Sequence, residues 1–318
     1  MSWLTGCVGK EEGQVMNRKA YFIFNPYAGK GLIKTHLLDI VDTLTKAGYE
    51  VTTYPTQCPK DAIQVAKEKA SDCDMLVCCG GDGTLDEVVT GMMQSGVNRP
   101  IGYIPAGSTN DFANSLSLPG NMKEAAEVIC TGEEFSCDIG TFNADVFVYV
   151  AAFGLFTEVS YETPQEVKNV LGHSAYIIEG MKQLSNIKSH SLRVTYGDQV
   201  IEDEFVFGMI SNSSSIGGFK KLTGKHVELS DGLFEVTLIK MPRNPLEFNS
   251  IVSALLIEDI NTEFMYCFKT DSLTLESLNG EEVAWTLDGE FGGNHVKTQI
   301  KNHKGLLKII VDKEADIK

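Results

Sequence analysis

Basic residues are scarce in this 318-residue chain: 27 Lys and Arg stand against 43 Asp and Glu, a formal net charge of −16. Nucleic acid is thereby excluded as the main partner, because tracking phosphates needs a net basic face. The same deficit argues against permanent electrostatic anchoring to an anionic membrane. Eight cysteines are present without a C-x-x-C pair or a histidine cluster at zinc spacing, which excludes the common zinc modules. They read as reduced, packed thiols of a cytosolic protein. Residues 1–15 have no basic segment followed by an apolar one, so no secretory leader is expected, and Met16 could serve as a start. The longest apolar run, Val146 to Phe156, is too short to span a bilayer. There is no G-x-x-x-x-G-K-[ST] phosphate loop, no G-x-G-x-x-G dinucleotide fingerprint, no internal repeat and no Pro/Ser-rich linker.

What is present is an ordinary globular balance, 43% hydrophobic and 22% charged, and a length that suggests about two domains. From Ala20 to Pro105, apolar runs alternate with helical periodicity. Tyr21–Phe24, Val51–Tyr54, Met75–Cys79 and Ile101–Ile104 read as strands. Between them Ile33, Leu37, Ile40, Val41 and Leu44 share one helical face; Ile63, Ala66 and Ala70 mark a second helix, and Leu85, Val88, Val89 and Met92 a third. This order predicts an α/β fold with a mainly parallel sheet covered on both faces, whose ligand sits outside the carboxyl ends of the strands. After about residue 138 the pattern changes to hairpins across Asn143-Ala144 and Gly197-Asp198, with strands at Phe234–Lys240, Phe264–Phe268, Ser272–Leu275, Val283–Leu287 and Leu306–Val311. Helical interruptions are expected near Val167–Leu184 and Pro245–Ile257.

Gly80-Gly81-Asp82-Gly83-Thr84 lies between an apolar strand and an amphipathic helix. Three glycines let the backbone approach a ligand, and a following helix N-terminus offers N–H groups to an anion, so a phosphate suits the loop. Asn25-Pro26-Tyr27-Ala28-Gly29-Lys30-Gly31 and Gly107-Ser108-Thr109-Asn110-Asp111 fall at equivalent strand ends. Alone, each reads as a turn; together the three loops could converge on one ligand. Leu287-Asp288-Gly289-Glu290-Phe291-Gly292-Gly293 sets two carboxylates about a glycine, and Ser230-Asp231-Gly232-Leu233 is either a turn or part of a hard-cation site.

In this order NPYAGKG, GGDGTLDEVVTGM, IPAGSTNDFA, SDGLFEV and LDGEFGG resemble the diacylglycerol kinase catalytic-domain family, in particular the small bacterial lipid kinases related to sphingosine and ceramide kinases. The resemblance runs from about residue 20 to the C-terminus. It implies an ATP-binding α/β domain over 17–138, rejoined by about 306–318, and a lipid-binding antiparallel β-sandwich over 139–305. It implies transfer of the ATP γ-phosphate to a lipid hydroxyl, most simply that of diacylglycerol to give phosphatidic acid. Asn25, Pro26, Tyr27, Ala28, Gly29, Thr56, Gly80, Gly81, Asp82, Gly83, Thr84, Leu85, Asp86, Glu87 and Ser108 would contact ATP. Glu290 would accept the hydroxyl proton, with Asp82 organising metal and water; Asp82 is the favoured base in the sphingosine kinase branch. Glu228, Asp231 and Leu233 would hold a structural Mg²⁺, with Asp111 and Asp138 in an acidic network nearby. Asp86 stands where Asn is common and Ser108 where Thr is common.

The implied partners are a membrane lipid and a cytoplasmic membrane face visited transiently; the oligomeric state, a homodimer included, is left open. Val167–Leu184 could form a lid, and Gly217–His226, with three lysines and no acid, a basic edge. An NAD kinase using the same GGDGT loop and a catalytically inactive nucleotide- or lipid-binding regulator are the alternatives.

Overall fold

The computed structural model describes residues 18–155, 188–213, 215–216, 219–220, 227–244, 246–248, 250–251, 254, 263–315 and 317. The expected lid at Val167–Leu184, the N-terminal 17 residues and most of the lysine-rich Gly217–His226 segment lie outside them.

The first third is built as expected from strand–helix alternation. Strand β1 (Arg18–Phe24) leads through a helical turn α1 (Ala28–Gly31) and helix α2 (Ile33–Lys46) to β2 (Tyr49–Pro55). Helix α3 (Asp61–Lys69), β3 (Met75–Gly80), α4 (Asp82–Ser95) and β4 (Ile101–Pro105) follow, then α5 (Asp111–Ser115) and α6 (Met122–Thr131). The four strands are parallel in the order β2–β1–β3–β4. Every residue of β3 is buried, as the centre of a sheet covered on both faces requires. Alternate side chains of β1 show the two layers: Ile23 packs with Val65 of α3 and Val88 and Met92 of α4, while Phe22 and Phe24 pack with Ile40 and Leu44 of α2 and Ile129 of α6. Helix α4 ends at Gly96, whose φ of +73° supplies a left-handed stop.

The antiparallel part comprises β5 (Glu133–Phe142), β6 (Asp145–Phe147), β7 (Val150–Gly154), β8 (His190–Tyr196), β9 (Gln199–Ser211), the short pair β10 (Ser215–Ile216) and β11 (Phe219–Lys220), β12 (Phe234–Lys240), β13 (Met265–Thr270), β14 (Ser272–Ser277), β15 (Val283–Leu287), β16 (Glu290–His295) and β17 (Lys297–Val311). These strands enclose an aromatic core in which Trp285 lies 4.9 Å from both Phe142 and Phe153, ring centre to ring centre. Strands β5 and β17 tie the two parts together. The start of β17 pairs with β14, and its end runs against β5 and touches β4 in parallel at Ile309 beside Ile101. The limits 138/139 and 305/306 fall inside these two strands, where the pairing shifts between His303 and Leu307.

Strand β16 was not expected: Gly292 and Gly293 mark a turn more readily than a strand. It forms because Asp288 and Gly289, at φ +50° and +88°, make a two-residue hairpin turn that pairs Leu287 with Glu290. Among the described residues no helix is long and apolar enough to cross a membrane.

Candidate active site

Because β1, β3 and β4 are parallel, the loops after Phe24, Gly80 and Pro105 leave the same sheet edge. Backbone bonds knit them just beyond it: Asn25 N–H donates to Cys79 O at 2.9 Å, Ala106 N–H to Gly80 O at 2.7 Å and Thr56 N–H to Phe24 O at 2.9 Å. The loops then touch through glycine. A Cβ on Gly29, whose φ is +57°, would lie 2.8 Å from Ala106 O, and one on Gly107 would lie 2.8 Å from Gly81 Cα. Asn110 closes the third loop by accepting from Gly107 N–H at 2.7 Å and donating to Gly107 O at 3.0 Å. A Gly107→Val variant is expected to wedge Gly81 away and, if these loops hold ATP as the resemblance implies, to weaken ATP binding roughly 10- to 100-fold, measured by calorimetry.

Gly81 precedes α4 and no side chain caps that helix, so its first N–H groups and its positive end face the junction of the three loops. Asp82 opens the helix. Its Oδ2 accepts from Asp111 N–H at 3.1 Å, and Phe112 N–H and the Thr109 hydroxyl hold it as well, while its Oδ1 is buried without a hydrogen-bond partner. Burial pushes its acidity down, raising the pKa above the ordinary carboxylate value against the pull of those donors. A buried carboxylate oxygen left over beside a phosphate-type cradle is the donor that Mg²⁺ needs, since Mg²⁺ takes one or two carboxylates and completes its shell with phosphate oxygens and water. The residues therefore fit the group.

Glu290 reaches this point from the opposite end of the sequence. As the first residue of β16 it is exposed, and its Oε1 lies 3.7 Å from where a Cβ on Gly83 would be. Asp288 fixes the turn that presents it. The Asp288 carboxylate accepts from Val148 N–H at 2.5 Å, Tyr149 N–H at 3.0 Å and Val150 N–H at 2.8 Å.

A match to the family described as diacylglycerol kinase catalytic domain covers residues 19–142. The diacylglycerol kinase of Bacillus subtilis is 34% identical over 280 residues, 87% of this chain and 91% of its own length. That of Staphylococcus carnosus is 36% identical over 280 residues, 87% and 90% respectively. The chain belongs to the diacylglycerol kinase family. A crystal structure of a diacylglycerol kinase from Bacillus anthracis Sterne, 26% identical, superposes with a TM-score of 0.73 over 94% of this chain and 98% of that one. The family is one of lipid kinases, phosphotransferases acting on a lipid hydroxyl, and the parallel-then-antiparallel architecture is its fold.

Within this kinase fold the residues named from sequence divide by what their side chains touch. Asn25 Oδ1 turns back to accept from Tyr27 N–H at 2.9 Å, and Tyr27 is exposed beneath the Lys34 ammonium. Pro26, Ala28, Gly29, Thr56 and Ser108 line the same edge. Leu85 faces inward and is fully buried in the core, so only its backbone can meet a nucleotide. The Glu87 carboxylate is committed to the start of α3, accepting from Lys60 N–H at 2.8 Å and Ala62 N–H at 3.3 Å, which positions the Thr56 loop.

The acidic residues do not form one cluster: among the described residues no group of three metal-ligating side chains stands together. Asp82 and Asp111 lie at the phosphate loops. Asp138 lies with the Asp231 turn, accepting from Gly305 N–H at 2.7 Å and Gly232 N–H at 2.6 Å. Asp231 accepts from Leu233 N–H at 2.8 Å and pairs with the Lys269 ammonium at 3.0 Å, which also pairs with Glu235 at 2.9 Å. A cation held by Asp231 with the Glu228 and Leu233 carbonyls would thus share its carboxylate with Lys269. Sequence reasoning placed Thr109, Asn110 and Asp288 inside candidate loops but gave none of them a role of its own. The Asp-Gly dipeptide was the available signal for Asp288, as a hairpin turn.

Proposed function

We propose that the chain transfers the γ-phosphate of ATP to the free hydroxyl of a diacylglycerol, giving phosphatidic acid and ADP. The observation that carries this reading is what gathers at the first turn of α4, a helix end that no side chain caps: the Asp82 oxygen without a partner and the Glu290 carboxylate beside Gly83. The loops from Asn25 to Gly29, from Gly80 to Thr84 and at Ser108 hold and orient the triphosphate, largely through backbone N–H groups. Asp82 would hold Mg²⁺, which supplies neutralisation of the phosphate charge when bound. Glu290 takes the hydroxyl proton as the lipid oxygen bonds to the γ-phosphorus and the bond from that phosphorus to the β–γ bridging oxygen breaks. ADP leaves with the electron pair. Exposure of Glu290 at the rim suits a substrate arriving from a membrane surface, here the inner face of the cell membrane. Transient visiting fits a chain of net charge −16.

The test is transfer of labelled γ-phosphate from ATP to vesicles containing dioleoylglycerol, sphingosine or ceramide, and to NAD in solution, with Mg²⁺ or with chelator. Label in phosphatidic acid that requires Mg²⁺ is the expected result. Label in NAD alone would make the protein a nucleotide kinase, and ATP binding without transfer to any acceptor would make it a regulator.

A further inference from the structure

Strand β16 pairs with β15 out of step. Trp285 lies opposite Gly293 and Thr286 opposite Phe291, so Gly292 is an extra residue, a β-bulge, two positions after Glu290. The extra residue reverses the alternation of side chains. Glu290, opposite Leu287, shares a face with Gly293 and His295; had β16 run on without the bulge, Phe291 would hold that face. Glycine permits the distortion: Gly293 takes φ +95°, and a Cβ on Gly292 would lie 2.7 Å from Leu287 Cγ. What fixes the bulge is an imidazole. His295 Nε2 lies 3.0 Å from Gly292 O, the carbonyl of the extra residue, and a Cβ on Gly293 would lie 2.8 Å from the same nitrogen.

The neighbours of His295 decide which ring nitrogen carries the hydrogen. Its Nδ1 faces the side-chain amide of Asn143, with Nδ2 at 3.4 Å. That amide is oriented by β17: Asn143 Oδ1 accepts from Gln299 N–H at 2.9 Å, and Asn143 N–H donates to Gln299 O at 2.8 Å. Asn143 therefore presents an N–H to the ring, Nδ1 accepts it, and Nε2 holds the hydrogen that it donates to Gly292 O. Phe142 packs against the imidazole, 5.2 Å between ring centres at 71°, and so ties it to the aromatic core. We infer that His295 is a positioning residue for Glu290: its Nε2–H bond to Gly292 O locks the bulge that turns Glu290 toward Gly83 of α4. The contacts run from β17 through Asn143 and His295 to the bulge, while Asp288 holds the turn on the other side of Glu290. The inference rests on the reading of Glu290 as base.

Glutamine can place its amide nitrogen where Nε2 stands and keep the donation to Gly292 O; leucine fills much of the volume and cannot donate. The full chain, with ATP, Mg²⁺ and dioleoylglycerol vesicles, should be compared as wild type, His295→Gln and His295→Leu, with melting temperature showing that each is folded. His295→Leu is expected to lose roughly 10- to 30-fold in kcat with the KM for ATP unchanged within about two-fold, and His295→Gln to recover most of that loss. Added to Glu290→Gln, His295→Leu should cost less than about two-fold more, because residues that act through one group are not additive. Imidazole nitrogen shifts measured by NMR should report the Nε2–H tautomer of His295. Asn143→Gly, whose glycine suits the φ of +53° there, should mix the two tautomers and lower kcat, a test that stands even where His295→Leu fails to fold. Wild-type turnover by His295→Leu, equal losses in the leucine and glutamine variants, or the hydrogen on Nδ1 would each overturn the inference. A full further loss in the double variant would overturn the action through Glu290. Full turnover by Glu290→Gln alone would instead overturn the base assignment, and neither the tautomer nor the contrast between glutamine and leucine depends on that.

Discussion

Glu290→Gln is expected to bind ATP and Mg²⁺ as wild type does and to lose about 10²- to 10⁴-fold in kcat. Glutamine keeps the size and the place of the side chain at the start of β16 and removes only its capacity to accept a proton. The turn that presents it is held by Asp288, so the fold of the hairpin should be unaffected. The loss should therefore appear in kcat and not in the KM for ATP, the pattern of a contact made only as the reaction proceeds. Titration calorimetry with a non-hydrolysable ATP analogue, beside turnover on dioleoylglycerol vesicles, separates the two quantities. Activity within a few-fold of wild type would remove Glu290 as the base.

Asp82→Asn should fail differently. Asparagine retains an oxygen for Asp111 N–H but lacks the charge that a divalent cation requires. The expected signature is a raised Mg²⁺ requirement together with a loss of roughly 10²-fold or more in kcat, partly recovered at high metal concentration. Measuring rate against Mg²⁺ for wild type, Asp82→Asn and Glu290→Gln distinguishes a metal-holding acid from a proton acceptor. A Mg²⁺ dependence shifted by Glu290→Gln and left unchanged by Asp82→Asn would exchange the two roles.

The fold and the three glycine loops at its strand ends were legible because their signals are local. Strand periodicity, the helical faces of α2 and α4, and glycines at three successive strand ends each lie within a few residues of what they determine. The convergence of those loops then followed from parallel topology. The remainder depends on partners far apart in sequence. Asp288 accepts from Val148 to Val150, some 140 positions away, and nothing in Leu-Asp-Gly-Glu announces those donors. Glu87 reads as part of the phosphate motif, yet its carboxylate serves α3, because that helix begins at a left-handed Lys60 and has no side-chain cap of its own. Asp231 reads as a metal ligand by motif, and the Lys269 that neutralises it lies on another strand. Backbone N–H groups hold Asp138 and a lysine pairs with Asp231, whereas one buried oxygen of Asp82 has no partner.

The scarcity of basic residues fits this arrangement. On the proposed function, phosphates would be met by main-chain N–H groups, a helix end and a bound metal, so the site would need few lysines or arginines. Buried Cys78, Cys79 and Cys137 serve the packing of the core, and burial pushes their thiols up, Cys79 to about 12, which leaves them inert as nucleophiles.

The most direct measurement is single-turnover transfer from γ-labelled ATP to dioleoylglycerol vesicles in the presence of Mg²⁺, run side by side with wild type and Glu290→Gln at saturating nucleotide. Labelled phosphatidic acid from wild type, with bound but untransferred label in the variant, is the expected outcome. Equal transfer by both proteins, or none to diacylglycerol by wild type, would contradict the assignment.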